Sequence, residues 1–446
     1  MAKQTRDEDT SATPEPTQKS SLTRLGKALG PGLVTGAADD DPSGIATYAQ
    51  AGAMFKNAAL WTVPATLPMM MAVQEICDRT ALTTGESLGK LARRKFTRGI
   101  RTIIAILIAA LLIANGVNLA ADLMAIGEGM EMLGAGPGPV WSVLSGATIT
   151  ALLMKGSFNS IAKVFKWLCL VLFTYVGVLI FTHIDWSDVL KGLTFQQTQF
   201  RLSYWAIIVA VLGTTVSPYL FFWQSAHRVE ELRDEKLDGG EAPSYAERSR
   251  DGAERKQTDA RIDVFTGMAF SVLIMFAIMV ATASTLGTQG LEVNSAADAA
   301  KALEPIAGPL AKVLFALGFI GSGLLAVPVL AASGAIGMAG LLNKNWGLER
   351  SPKKAPVFYL LLAAGTIAGT LLSAILSDPI ALLVLSATIN GIAAAPFLVV
   401  VMLISGDPAI MGTHRNGLLA GITGWATAGI MAVAGVIGIW ATIVGS

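Results

Sequence analysis

The chain has 446 residues, of which 53% are hydrophobic and only 15% charged. That composition excludes an ordinary soluble enzyme and fits a polytopic membrane protein, whose closely packed helices also account for the 46 glycines. Thirty-three Lys and Arg against 32 Asp and Glu argue against a nucleic-acid partner, and two cysteines exclude a disulfide framework.

Residues 1–25 are polar and rich in Pro, Ser and Thr, and no apolar run follows a basic start. They read as a disordered cytoplasmic tail, not a cleavable signal peptide. A helix needs about 20 apolar residues to cross a bilayer. Eleven stretches qualify: 28–55, 59–80, 101–130, 137–155, 160–182, 203–227, 264–286, 309–342, 356–377, 379–404 and 417–444. Loop cations alternate. Lys90, Arg93, Arg94, Lys95 and Arg98 follow span two, Lys155, Lys163 and Lys166 follow span four, and Lys344, Arg350, Lys353 and Lys354 follow span eight. The loops after spans three and nine carry none. The positive-inside bias therefore predicts a multi-pass membrane protein with its N-terminus in the cytoplasm and its C-terminus outside. Segment 228–263 is predicted as a cytoplasmic helix or loop.

Span one contains Asp39, Asp40 and Asp41 directly before Pro42, Ser43 and Gly44. Proline cannot donate to the helix ladder and disfavours helix at the preceding residue. A break is predicted at Asp41–Gly44, with the helix restarting near Ile45. Span six carries Gly213, Thr214, Thr215 and Ser217 before Pro218, and its break is predicted at Thr214–Tyr219. Non-helical backbone survives at membrane depth only when buried or lining a cavity. Two broken helices, each first in a block of five, point to an inverted-repeat secondary transporter with its site between them. The blocks are 26–183 and 203–404, with 417–446 as an eleventh helix and C-terminus.

An ionised group at membrane depth costs at least ~3 kcal/mol and persists where a cavity or counter-ion compensates it. Asp41 with the carbonyl of Ala38, and the carbonyl of Thr214 with Ser217, form a candidate oxygen-only metal pocket. Hard ions such as Mg²⁺ prefer oxygen and usually keep several waters. Asp41 also has the sequence position of a helix N-cap, and capping and ligation can coexist. Asp39 and Asp40 are predicted as vestibule or coupling residues. Asn115, Asn118 and Asp122 share one face of span three, either lining a water path or packing on another helix. Glu75, Asp78 and Arg79 end span two, either as an ion-pair gate or as a solvated helix end. His183, His227 and His414 sit at predicted helix ends or loops, which argues against a His-based metal centre. No zinc-protease helix or nucleophile elbow is present, so no catalytic residue and no cofactor is expected.

The stretches GPGLVTGAADDDPSGIATYAQAG, LAADLMAIGEG, VSPYLFFWQSA, VLFALGFIGSGLLAVPVL and LLVLSATINGIAAAPF occur in the order of helices one, three, six, eight and ten of the NRAMP family, which the chain resembles. The resemblance implies an all-α membrane protein of LeuT-like fold, a 5+5 inverted repeat plus one extra helix. It would have eleven transmembrane helices, helices one and six interrupted, and transport by alternating access. The family's first-helix motif is Asp-Pro-Gly-Asn and its sixth-helix motif Met-Pro-His-Asn. The metal-binding aspartate is kept as Asp41, while its asparagine partner is Gly44, the methionine Ser217 and the histidine Tyr219. Asp122 matches an aspartate of the proton route, but a nearby glutamate is Ala125. A helix-ten glutamine is Ala387, with Asn390 one turn on, as a ligand or a packing residue. Loss of the thioether removes a preference for soft metals. The missing His and Glu count against proton coupling. Such replacements resemble the divergent NRAMP-related branch in which some members carry magnesium.

Two functions follow. One is import of a hard divalent cation, Mg²⁺ or Mn²⁺, partly hydrated. The other is transport of a small anion or polar solute such as bicarbonate, held by Ser43, Gly44, Ser217 and Tyr219 at the half-helix N-termini with Asp41 as a coupling-ion or proton site. In both, the partners are a small inorganic ion and the lipid bilayer, and the choice between monomer and homodimer stays open.

Overall fold

A computed structural model describes residues 35–36, 38–155, 173–181, 184–234, 241–291, 293, 296–301, 308–376 and 378–444. The expected tail at 1–25, the start of span one, most of span five with Lys163, Lys166 and Cys169, and His183 lie outside the described residues.

The described residues are helical, without a strand. After helical residues at 35–36 and 38–39 come α1 (Pro42–Phe55), α2 (Thr62–Thr84), α3 (Leu88–Lys95), α4 (Arg98–Met132), α5 (Gly138–Met154), α6 (Phe173–Phe181) and α7 (Trp186–Leu193). Then follow α8 (Leu202–Thr215), α9 (Pro218–Asp234), α10 (Arg250–Thr282), α11 (Ala296–Lys301), α12 (Ala311–Leu341), α13 (Pro356–Ile375), α14 (Pro379–Ser405), α15 (Pro408–Met411) and α16 (Leu418–Val444). Counting α8 and α9 as one, seven stretches among the described residues are long and apolar enough to cross a membrane.

Burial sorts these helices by role. In the most apolar window of Leu202–Asp234, 89% of residues are buried, against 33% in that of α16. The broken pair is therefore the centre of the bundle. α13 and α16 form its rim and expose Leu360, Leu371 and Ile375, and Val433, Val436 and Trp440. In water such faces would drive association; against acyl chains they are the lipid surface.

Close helix approaches draw the elements inward. α8 crosses α14 where Gly213 faces Ala387 and Gly391, and a Cβ at Gly213 would collide with the Ala387 carbonyl. α1 meets α10 at Gly52, where a Cβ would run into Thr282 and the Met279 carbonyl. Absent side chains let backbones touch, the usual way membrane helices gain packing energy without a hydrophobic drive between them.

Two sequence expectations need adjustment. Helix resumes at Pro42 rather than Ile45, so Ser43 and Gly44 belong to its first turn. Proline suits the first helical position because its missing N–H is unpaired there anyway. Segment 228–263 is not uniformly solvated: α9 runs to Asp234, α10 starts at Arg250, and both Arg228 and Asp263 are buried.

Candidate functional site

The first break is at Asp40 and Asp41, between the helical residues at 38–39 and α1. Asp41 has extended backbone and caps α1. Its Oδ1 accepts from the Gly44 N–H at 2.8 Å and from Ser43 Oγ at 2.6 Å, while its carbonyl accepts the Ile45 N–H at 3.0 Å. These bonds satisfy donors that a helix start leaves open. The second break is Val216 and Ser217. Ser217 Oγ folds back to the Gly213 and Thr214 carbonyls, at 2.6 and 2.8 Å, and so closes the C-terminus of α8. Pro218 then starts α9.

The two breaks face each other. Ser43 Oγ lies 3.3 Å from Thr214 Oγ1, and Tyr48 OH lies 3.1 Å from Thr215 Oγ1. Tyr219 OH donates to the Ala38 carbonyl at 3.3 Å. Thus Ala38, Asp41, Ser43, Thr214 and Tyr219 are brought together, with Ser217 adjoining through the Thr214 carbonyl. Gly44 belongs to the same cluster: a Cβ there would be 3.2 Å from the Asp39 carbonyl and 3.3 Å from Thr214 Oγ1. A side chain at 44 would need the breaks to separate by a few tenths of an ångström.

Asn118 of α4 completes the cluster. Its Nδ2 donates to Asp41 Oδ2 at 3.0 Å, and its Oδ1 accepts from Ser386 of α14. Both Asp41 oxygens are thereby engaged and the carboxylate is held in one orientation. Asp39 and Asp40 turn toward α10, where Ser271 Oγ approaches Asp39 Oδ2 at 2.6 Å and Asp40 Oδ1 at 3.2 Å. One hydroxyl proton cannot serve both. Asp39 Oδ1 and Asp40 Oδ2 remain unpartnered and buried. Asp122, fully buried one turn beyond Asn118 on α4, accepts no hydrogen bond at either oxygen.

The polar face of α4 divides by function. Asn115 Nδ2 donates to the Leu330 carbonyl and Ser333 Oγ of α12, both at 3.0 Å, which is helix packing. Asn118 serves the breaks. Asn390 is buried on α14, and its Oδ1 accepts no hydrogen bond; no hydrogen bond joins it to either break among the described residues. Nor do three or more His, Cys, Asp or Glu side chains gather there to hold a metal. A cation between the breaks would meet one carboxylate, hydroxyls and backbone carbonyls, an oxygen set that leaves room for retained water.

Beyond the site, at the end of the bundle with the loop cations, α9 and α2 are locked by charge. Arg228 donates to Asp78 at 2.7 and 3.0 Å and to Asp263 of α10 at 3.3 Å, and pairs with Glu231. Lys256 also reaches Glu231, at 2.5 Å. Asp78 and Arg228 are each about 3% exposed, so the end of α2 is a buried network and not a solvated terminus.

The model of the natural resistance-associated macrophage protein-like family matches residues 32–441. The chain belongs to the NRAMP family. A relative described as divalent metal cation transporter MntH, from Aeromonas hydrophila, is 26% identical over 400 residues, covering 87% of this chain and 89% of its own. A crystal structure of the Eremococcus coleocola manganese transporter superposes with a TM-score of 0.72 at 18% identity, covering 95% of this chain and 88% of that one. Mhp1, a nucleobase-cation-symport-1 family transporter in a closed conformation, superposes at 0.52 with 16% identity, covering 92% and 90%. These likenesses establish an NRAMP-type helical fold.

Against that NRAMP frame, sequence reasoning singled out Asp41 and both prolines but not the roles of Asn118, Ser386, Ser271 and Thr215. Asn118 carried a signal, its place one turn from Asp122 on a polar face. Ser386 and Ser271 carried none, because serines are common in packed membrane helices.

Proposed function

We propose that this NRAMP-family chain imports a hard divalent cation, Mg²⁺ or Mn²⁺, across the bacterial inner membrane by alternating access. The cation is held partly hydrated between the two breaks. Asp41 is its one charged ligand, the Ala38 and Thr214 carbonyls and Ser217 Oγ are neutral oxygens near it, and Asn118 positions Asp41. Eleven spans in two inverted blocks of five plus one, with the N-terminus inside, remain the arrangement this reading uses. The alternation of loop cations supports that orientation.

One observation carries the reading. Asp41 faces a second break lined by hydroxyls, and among the described residues its side-chain hydrogen bonds come from Ser43, Gly44 and Asn118, not from a Met or His. An oxygen-only set gives no advantage to soft transition metals. The α1 N-terminus, which would be the natural seat of an anion, is already occupied by the Asp41 carboxylate. Asp39 to Asp41 are 0–1% exposed, so these carboxylates are shielded from solvent in this conformation. Release then requires the Arg228 network to part.

Flux into proteoliposomes tests this. Mg²⁺ and Mn²⁺ should enter at comparable rates, and bicarbonate should not. Ser217→Met should shift selectivity about tenfold toward Mn²⁺ over Mg²⁺. Bicarbonate flux without divalent flux would overturn the proposal.

A further inference from the structure

α2, α10 and the start of α16 do not close on one another at the cation-rich end of the bundle. They leave an open groove of about 1030 Å³. Its walls change character at one level. On α10, Arg261 gives way to Ile262 and Phe265; before α16, Arg415 gives way to Leu418 and Leu419; on α2, Arg79 and Glu75 give way to Met71 and Pro68. The same charged-to-apolar step on three elements marks where headgroups end and acyl chains begin.

The apolar wall is open, with Phe265 50%, Leu418 84% and Leu419 76% exposed. The cations above it differ in commitment. Arg79 is buried and used by Glu75 at 3.0 Å, by the His414 carbonyl and by Asn416. Arg261 is 59% exposed and touches the same Glu75 at 3.3 Å. Arg415 is exposed and forms no ion pair among the described residues. Three arginines and a single carboxylate thus line the groove, and Arg261 and Arg415 are open to a ligand.

We propose that this groove binds one anionic phospholipid, its phosphate between Arg261 and Arg415 and an acyl chain along Phe265 and Leu419. The charge and the apolar wall together select that occupant. A soluble anion would leave the wall unfilled, and an apolar helix would leave Arg415 without a counter-ion and Arg261 with only a share of Glu75. Basic recesses between membrane helices on the cytoplasmic side are suited to acidic headgroups. The site lies beside the Arg228 network: Arg79 adjoins Asp78, and Arg261 is two residues from Asp263. The binding does not depend on which ion is transported.

The test uses the full-length protein purified in detergent and read by native mass spectrometry. The probes are phosphatidylglycerol, phosphatidylcholine with the same chains, and glycerol phosphate without chains. Phosphatidylglycerol should be retained at least tenfold over phosphatidylcholine, and Arg261→Gln and Arg415→Gln should each weaken it about fivefold. Phosphatidylglycerol, and not phosphatidylcholine, should raise the unfolding temperature of the parent protein. Equal retention of the two lipids, or indifference to both substitutions, would overturn the proposal. So would glycerol phosphate binding as tightly as the lipid. If the variants do not fold, the parent's ratio of the two lipids decides, and a value near one rejects the site.

Discussion

Among the described residues, two carboxylate clusters inside the bundle differ in one respect: only one of them has cations. At the cation-rich end, Asp78, Asp263 and Glu231 surround Arg228, with Lys256 on Glu231. At the breaks, Asp39, Asp40, Asp41 and Asp122 have only hydroxyl, amide and backbone donors, and Asp122 has none. Among the described residues no Lys, Arg or His forms an ion pair with these four. Burying an unpaired charge is expensive, and a paired one roughly breaks even. The first group is complete as it stands and holds helices together. On the proposed function, the second is completed by a cation brought from outside.

The sharpest way to break this comparison is to remove the cation from the complete group. Arg228→Met strips the buried Asp78 of its ion pair and takes one from Asp263, and should cost about 3–5 kcal/mol of stability. Thermal unfolding in detergent measures it, and a loss below about 1 kcal/mol would mean that the network is solvated after all. The corresponding change in the other group should behave differently. Asp122→Asn breaks no hydrogen bond, so stability should stay within about 0.5 kcal/mol while cation flux falls. An Asp122→Asn protein that unfolds early would show that Asp122 is structural. The smallest effect belongs to a third, surface pair. The Lys95 hydrogen bond to Asp407 holds that carboxyl below the usual range. Its contribution is therefore present above the ordinary carboxylate pKa and is lost as pH falls through the lowered value. Lys95→Gln should change stability by about 0.5 kcal/mol or less at neutral pH, and the difference should vanish on acidification. A larger effect, or one that grows in acid, would contradict a solvent-screened pair.

Much of this was legible in the sequence, and the reason is local. Pro42 and Pro218 follow small or polar residues inside apolar runs, so the two interruptions follow from backbone chemistry within a few residues. The exact restart at Pro42 was less legible, because proline both ends one helix and begins the next, and the Asp41 cap decides which. What periodicity does not encode is the partner across the chain. Asn118 meets Asp41 over 77 residues, Ser271 meets Asp39 over 232, and Arg228 meets Asp78 over 150. Whether the end of α2 was an ion-pair network or a solvated terminus turned on that last pairing.

The central claim, that a hard divalent cation supplies the charge the breaks lack, is tested most directly by calorimetric titration of the purified protein. Mg²⁺ or Mn²⁺ should give a saturable heat that disappears in Asp41→Asn, because Asp41 is linked through Ser43 to Thr214 at the second break. A divalent heat unchanged in Asp41→Asn, or no divalent heat alongside a clear bicarbonate signal, would contradict the account.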